Sequence, residues 1–175
     1  MDTSVLDLAT ISVGLLVLRL VVGLLIAAHG AQKLFGWFGG HGIAGTGAFF
    51  EAIGFRPGRF FAQLASVTEL VSGVLITLGF LGPVGPALML SVMIVAAVSV
   101  HWKNGLFATA NGIELSLFYG TVAIGLALIG YGKYSLDALL GLQSLYTPTW
   151  AFVALAIGIL GGIGNLLARR PVAAA

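Results

Sequence analysis

The chain has 175 residues, of which 59% are hydrophobic and only 8% charged, and its formal net charge is +2. Soluble domains carry roughly 25% charged residues, so this composition cannot build a water-facing surface without large exposed apolar patches; the solvent it fits is the lipid bilayer. The small, scattered positive charge excludes a nucleic-acid footprint, and the lack of cysteine excludes disulfides, thiolate metal ligands and thiol relays within the chain.

The opening stretch MDTSVLDLAT holds two aspartates and no basic residue. It lacks the positive start of a cleaved signal peptide, so the first apolar segment is expected to remain in the mature protein. A helix needs about 20 mainly apolar residues to cross the hydrocarbon core, and five segments meet that requirement: 11–34, 60–81, 84–102, 113–131 and 150–168. The first carries Arg19 near its middle. It ends in LLIAAHGAQKLFG, where His29, Gln32 and Lys33 stand at i, i+3 and i+4 and share one helix face. Residues 35–59 are too broken by glycine to span and too apolar for a wet loop, which fits an interfacial or shallow re-entrant segment. Their GIAGTG follows no strand and carries no phosphate-binding context.

The second segment is interrupted by Gln63 and Glu69, and LGPVGP then makes a tight turn into the third, so the two are antiparallel neighbours. His101 closes the third segment. Glu114 opens the fourth, after Asn111 in NGIE, a pattern like a capping box. GKYSLDALLGLQSLYTP reads as a short amphipathic helix on the outer face, with Tyr131, Tyr134 and Tyr146 as interface anchors. The fifth segment contains Gly158-x-x-x-Gly162, which either dimerises helices or packs them within one chain; a homo-oligomer is one expectation. It closes on Arg169 and Arg170.

With the N-terminus outside, the inner ends collect Lys33, Arg56, Arg59, Lys103, Arg169 and Arg170, and the outer loops hold only Lys133. That is the positive-inside pattern. It requires an odd number of crossings, which agrees with five. The expectation is a multi-pass protein of the cytoplasmic membrane with its C-terminus inside.

In this topology His29, Lys33, Glu69, His101 and Glu114 fall in the cytoplasmic half. Ionisable groups within spans are costly and turn inward. Some have bland explanations: Lys33 snorkels to the headgroups, His101 is interfacial, Glu114 caps a helix. Glu69 stands roughly 13 Å into its span by the helical rise, too deep to cap or to reach water. It must pair with Lys33 or a histidine, carry a proton, or bind something. Arg19 requires a partner inside the bundle or a carbonyl. Two histidines and two carboxylates would suit non-haem iron or zinc, and two histidines on separate helices a haem, but the Glu-x-x-His pairing of di-iron bundles is absent, with Ser72 and Leu117 at the matching positions. A quinone-like head group fits more simply, because its carbonyls need donors and a proton source and its tail a lipid-facing entrance, and His29, Lys33, Glu69 and His101 offer that chemistry in a mostly apolar pocket. On that reading Glu69 and His29 are the catalytic residues, and Lys33, His101, Glu114, Arg19 and Gln32 contact the ligand.

The stretches LRLVVGLLIAAHGAQKLFG, GIAGTGAFFEAIGF, LASVTELVSGVLITLGF, HWKNGLF and GIELSLFYG together resemble the DoxX family of small bacterial and archaeal membrane proteins, over about residues 18–142. The resemblance implies an all-α four-helix transmembrane core, here with a fifth, C-terminal helix beyond it. It also implies association with electron transfer at the quinone pool, since DoxX and DoxD relatives occur as small subunits of terminal quinol oxidase or thiosulfate:quinone oxidoreductase systems. It carries over Arg19, His29, Lys33, Glu69, His101 and Glu114 as the polar positions of the pattern. The expected function is a membrane subunit of a redox system that binds a quinone or similar lipid-soluble carrier. The alternatives are a non-catalytic anchor that recruits a soluble redox protein, and a small transporter or channel. An anchor needs no buried Glu69, and no internal repeat of the transporter kind is evident.

Overall fold

A computed structural model describes residues 8–170; Asp2 and Asp7 of the acidic start lie outside them. The regular structure among the described residues is helical: α1 Leu8–Phe35, α2 Gly42–Ala52, α3 Gly58–Leu78, α4 Val84–Ala96, α5 Glu114–Ile129, the single turn α6 Leu136–Leu139, and α7 Pro148–Leu167. α4 runs on through a π-helical turn, Ala97–His101, and a 3-10 turn, Trp102–Asn104. Four of these helices are long and apolar enough to cross a membrane: α1, α3, the continuous Val84–Asn104 segment and α7. α5 has 16 residues, about 24 Å by the helical rise, shorter than the 113–131 expected from hydropathy. Gly130, with φ 84°, breaks off its regular winding.

Local chemistry sets the ends. α3 stops at Gly79, whose φ of 65° is left-handed; Gly79 N–H then donates to Ile76 O at 3.1 Å and Phe80 N–H to Leu75 O at 2.9 Å, the paired bonds that satisfy the last carbonyls of a helix. α7 starts with Thr147 accepting from Trp150 N–H at 3.2 Å and Pro148 in the first turn, where a missing N–H costs nothing.

α1 packs along α3, and α4 sits centrally against α3, α5 and α7. The core between them holds Val22, Ile26, Ile76, Met89, Leu126 and Leu155, while Leu24, Phe118, Ile157 and Leu160 face outward, as lipid-contacting side chains do. Gly158 and Gly162 lie against Ala87 and Ser91 of α4, so this motif packs helices within the chain.

Two ends of the bundle are fixed by hydrogen bonds. At one, Thr46 Oγ1 donates to Lys33 O at 3.2 Å, Arg169 Nε to Ile53 O at 2.6 Å and Arg170 N–H to Gly54 O at 2.8 Å. The end of α1, the α2–α3 turn and the end of α7 therefore meet, bringing Lys33, Arg56, Arg59, Arg169 and Arg170 to one end. At the other, Lys133 N–H donates to Ser12 Oγ at 3.3 Å. α5 runs from the loop after α4 toward this second end and is the one shorter apolar helix beside the four long ones among the described residues.

The segment after α5 differs from the amphipathic helix expected of it. It forms one α-turn and one 3-10 turn around a sealed polar knot. Asp137, fully buried, accepts from Leu81 N–H at 2.9 Å, Gly82 N–H at 2.7 Å and Tyr146 Oη at 2.6 Å. Tyr131 is buried, Tyr146 half-buried, and their rings meet edge to face at 6.2 Å. Only Tyr134 of the three tyrosines is exposed. The carboxylate needs donors, and the α3–α4 turn has two free N–H groups, so the segment folds inward instead of lying flat on the membrane.

Candidate functional site

The site is built at one of the close approaches of α1 to α3. A Cβ added at Gly30 would stand 2.6 Å from Leu70 N and 2.7 Å from Ser66 O, so only glycine permits this approach. One turn on, Lys33 Nζ meets Glu69 Oε1 in an ion pair. Glu69 is sealed, with 3% of its side chain exposed against 31% for Lys33. Its second oxygen, Oε2, is buried with no hydrogen-bond partner among the described residues. A carboxylate has capacity for several hydrogen bonds, so the pair leaves one acceptor position unused in a low-dielectric setting.

Lys33 also lines a cavity of about 280 Å³. The cavity lies over α4, between α3 and Asn165 of α7, and is lined at the basic end by Phe49 and Phe50 of α2 and by Ile53 just after it. Its walls are mostly apolar, including Phe61, Leu64 and Val95. Polar groups reach it from Lys33, Thr68, Ser91, Ser99, His101 and Asn165. Small-molecule pockets have this character, apolar walls with a few placed polar groups.

The remaining residues singled out from sequence are distributed as follows. His101 is half-buried, lines the cavity, and has Nδ1 2.8 Å from Asn111 O. His29 is exposed on α1, to one side of the seam with α3, and does not line the cavity. Gln32 Nε2 donates to Phe38 O at 3.3 Å and steadies the loop after α1. Glu114 is exposed, and its Oε2 accepts from Ala108 N–H at 2.7 Å, so it ties off the loop before α5. Among the described residues no three His, Asp or Glu side chains converge as metal ligands would.

Arg19 lies at the other end, buried, donating through Nη1 to Thr77 O at 2.5 Å and through Nη2 to Tyr134 O. It ties the end of α3 to the segment after α5, beside the knot around Asp137. Burial pushes the Tyr131 and Tyr146 phenols above their ordinary range, and for Tyr146 the hydrogen bond to Asp137 adds to that. Sequence reasoning did not pick out Asp137. Its only trace was an acidic residue inside an apolar stretch, LDALLGL, with Ser135 as the cap two residues before it.

The fold and its apolar surface define a multi-pass, all-helical membrane protein. Residues 14–102 match the DoxX family. A membrane protein of Mycobacterium tuberculosis (strain ATCC 25618 / H37Rv), named there as uncharacterized membrane protein Rv3486, is 32% identical over 130 residues, covering 69% of this chain and 77% of that one. No solved structure matches. The chain belongs to the DoxX family.

Proposed function

We propose that this protein is a membrane subunit of a redox system, sited in the cytoplasmic membrane with its N-terminus outside, its basic end in the cytoplasm and α5 as a fifth crossing. In this reading it binds a quinone or a similar lipid-soluble carrier in the cavity between α3 and α7. The observation that carries the reading is the Lys33–Glu69 pair beside an apolar cavity whose other titratable lining group is His101. A buried ion pair adds little to stability compared with an apolar replacement; here Lys33 lines the cavity and Glu69 stands behind it, outside the lining, so the pair is better accounted for by chemistry there. A carrier of this class supplies paired electron and proton exchange when bound. The chain's part is to offer Lys33 N–H to a ring oxygen, to hold the ring among the aromatic and aliphatic walls, and to keep a carboxylate, Glu69, at hand for a proton.

The test is saturable binding of a decyl-substituted benzoquinone to the full chain in lipid nanodiscs, read by quenching of tryptophan fluorescence. Binding is expected in the native chain, and Ala65→Phe, which fills the cavity, is expected to abolish it; His29→Ala is expected to bind normally. Absence of saturable binding, or binding indifferent to Ala65→Phe, refutes the reading.

A further inference from the structure

His101 stands where α4 changes its winding. The α-helix ends at Ala96 and Ala97–His101 form a π-helical turn, a single-turn feature that is frequent at functional sites. Ala96, Ser99, Val100 and His101 all line the cavity. The His101 ring is held by one nitrogen. Nδ1 lies 2.8 Å from Asn111 O, an oxygen that also accepts from Asn104 Nδ2 at 3.1 Å. A carbonyl oxygen only accepts, so Nδ1 carries the hydrogen. The neutral imidazole has one N–H, so Nε2 is left as a bare acceptor.

The cavity's other polar groups differ from this one. Lys33 is a donor. The Thr68 and Ser99 hydroxyls donate to Leu64 O and Val95 O of their own helices, at 2.7 and 2.6 Å, and Asn165 Nδ2 donates to Gly161 O at 2.9 Å. The oxygens of these three, and that of Ser91, still accept, but a hydroxyl or amide oxygen is a weaker acceptor than an imidazole nitrogen.

We infer that His101 Nε2 makes the cavity selective for a ring that bears a hydroxyl. The preferred ligand is a phenol or hydroquinone head group whose O–H donates to Nε2, ahead of the same ring carrying only ether or carbonyl oxygens. An oxygen without hydrogen at that place sets lone pair against lone pair and leaves both unbonded, which lowers affinity about tenfold. Asn111 and Asn104 are positioning residues, because they fix which nitrogen carries the hydrogen. This inference rests on the carrier reading of the same cavity and adds which form of the carrier it holds.

The experiment compares three probes on the full chain in nanodiscs without oxygen: a decyl-substituted benzohydroquinone, its dimethyl ether and the oxidised quinone. The native chain is expected to bind the hydroquinone about tenfold more tightly than the ether. His101→Asn keeps a donor near Nδ1 and removes Nε2, and is expected to narrow that ratio to under about twofold. Equal binding of all three probes by the native chain, or an unchanged preference in His101→Asn, overturns the inference and leaves the carrier reading standing. Failure of all three to bind saturably overturns both. A second measurement needs no change at His101: ¹⁵N spectra of histidine-labelled chain with His29 and His41 replaced by Gln are expected to show the Nδ1–H tautomer, with the Nε2 resonance moving on hydroquinone addition. An Nε2–H tautomer, or an Nε2 resonance unmoved at saturating hydroquinone, overturns it.

Discussion

Glu69→Gln removes the charge that Lys33 faces while keeping the shape of the side chain. Stripping one partner from a fully buried pair costs about 3–5 kcal/mol, because the remaining charge is stranded. Here the stranded group would be Lys33, which is 31% exposed and retains access to water, so the expected loss is about 2 kcal/mol. Lys33→Met strands the sealed member instead, with Glu69 only 3% exposed, and the expected loss is about 3 kcal/mol. The double variant holds no charge at the seam and is expected within about 1 kcal/mol of the native chain, since neutral replacements of buried pairs are often harmless. Its loss should therefore fall short of the summed single losses by about 4 kcal/mol, well beyond the scatter of independent sites. Equilibrium unfolding in mixed micelles of rising SDS content, followed by tryptophan fluorescence and far-ultraviolet circular dichroism, measures all three. Strict additivity would refute the coupling. The double variant also separates the roles of the pair: it is expected to fold and to bind the quinone probe poorly.

Gly30→Ala places a methyl group against the backbone of Leu70 and Ser66, which cannot swing aside; a loss of about 1–3 kcal/mol is expected in the same unfolding assay, with weakened quinone binding. Because the Tyr131 and Tyr146 phenols are raised in the folded chain, the folded state holds protons that the unfolded state releases. Their contribution is thus present below about pH 10, the ordinary phenol value, and is lost as pH rises from there toward the raised values; unfolding midpoints measured against pH should fall above about pH 10 and stay insensitive to these groups below it. The chain has no cysteine, so single cysteines at the exposed positions Arg56 and Lys133 report on the membrane side directly. Lys133→Cys is expected to react with an impermeant maleimide from outside the cell and Arg56→Cys only after the membrane is opened; reaction of both from one side would overturn the proposed orientation.

Glu69 was legible because nothing local could account for a carboxylate so far along an apolar segment, and Lys33 was the cation at matching depth. Depth put Lys33 among the possible partners of Glu69, beside a histidine, a proton or a ligand; the structure selects Lys33. His29 shows where that reasoning ends. It shares a helical face with Lys33, but the α1–α3 seam is narrow, following Arg19, Val22, Gly23, Ile26 and Gly30, and a residue at the edge of so close a contact falls outside it. The four long spans and the antiparallel α3–α4 turn follow from hydropathy and from Pro and Gly placement. The knot at Asp137 carries no such signature, because two of its three partners are backbone N–H groups of a turn more than fifty residues away in sequence. The π-helical turn that carries His101 is likewise invisible, since no residue type demands it; it answers to packing and to the Asn111 carbonyl.

The two cations of α1 meet their partners on α3: Lys33 at Glu69 and Arg19 at Thr77 O. A basic side chain at the centre of a helix costs roughly 2.5–3.5 kcal/mol to insert, and in α1 that cost falls on Arg19 near its middle, since Lys33 stands in the last turn. α3, made next among the long helices, gives each residue a partner, one a carboxylate and the other a carbonyl. The hairpin of α1 and α3 is therefore the shortest length of nascent chain in which neither cation is bare, and it defines the earliest moment in synthesis at which the amino-terminal part of the protein is at ease in lipid.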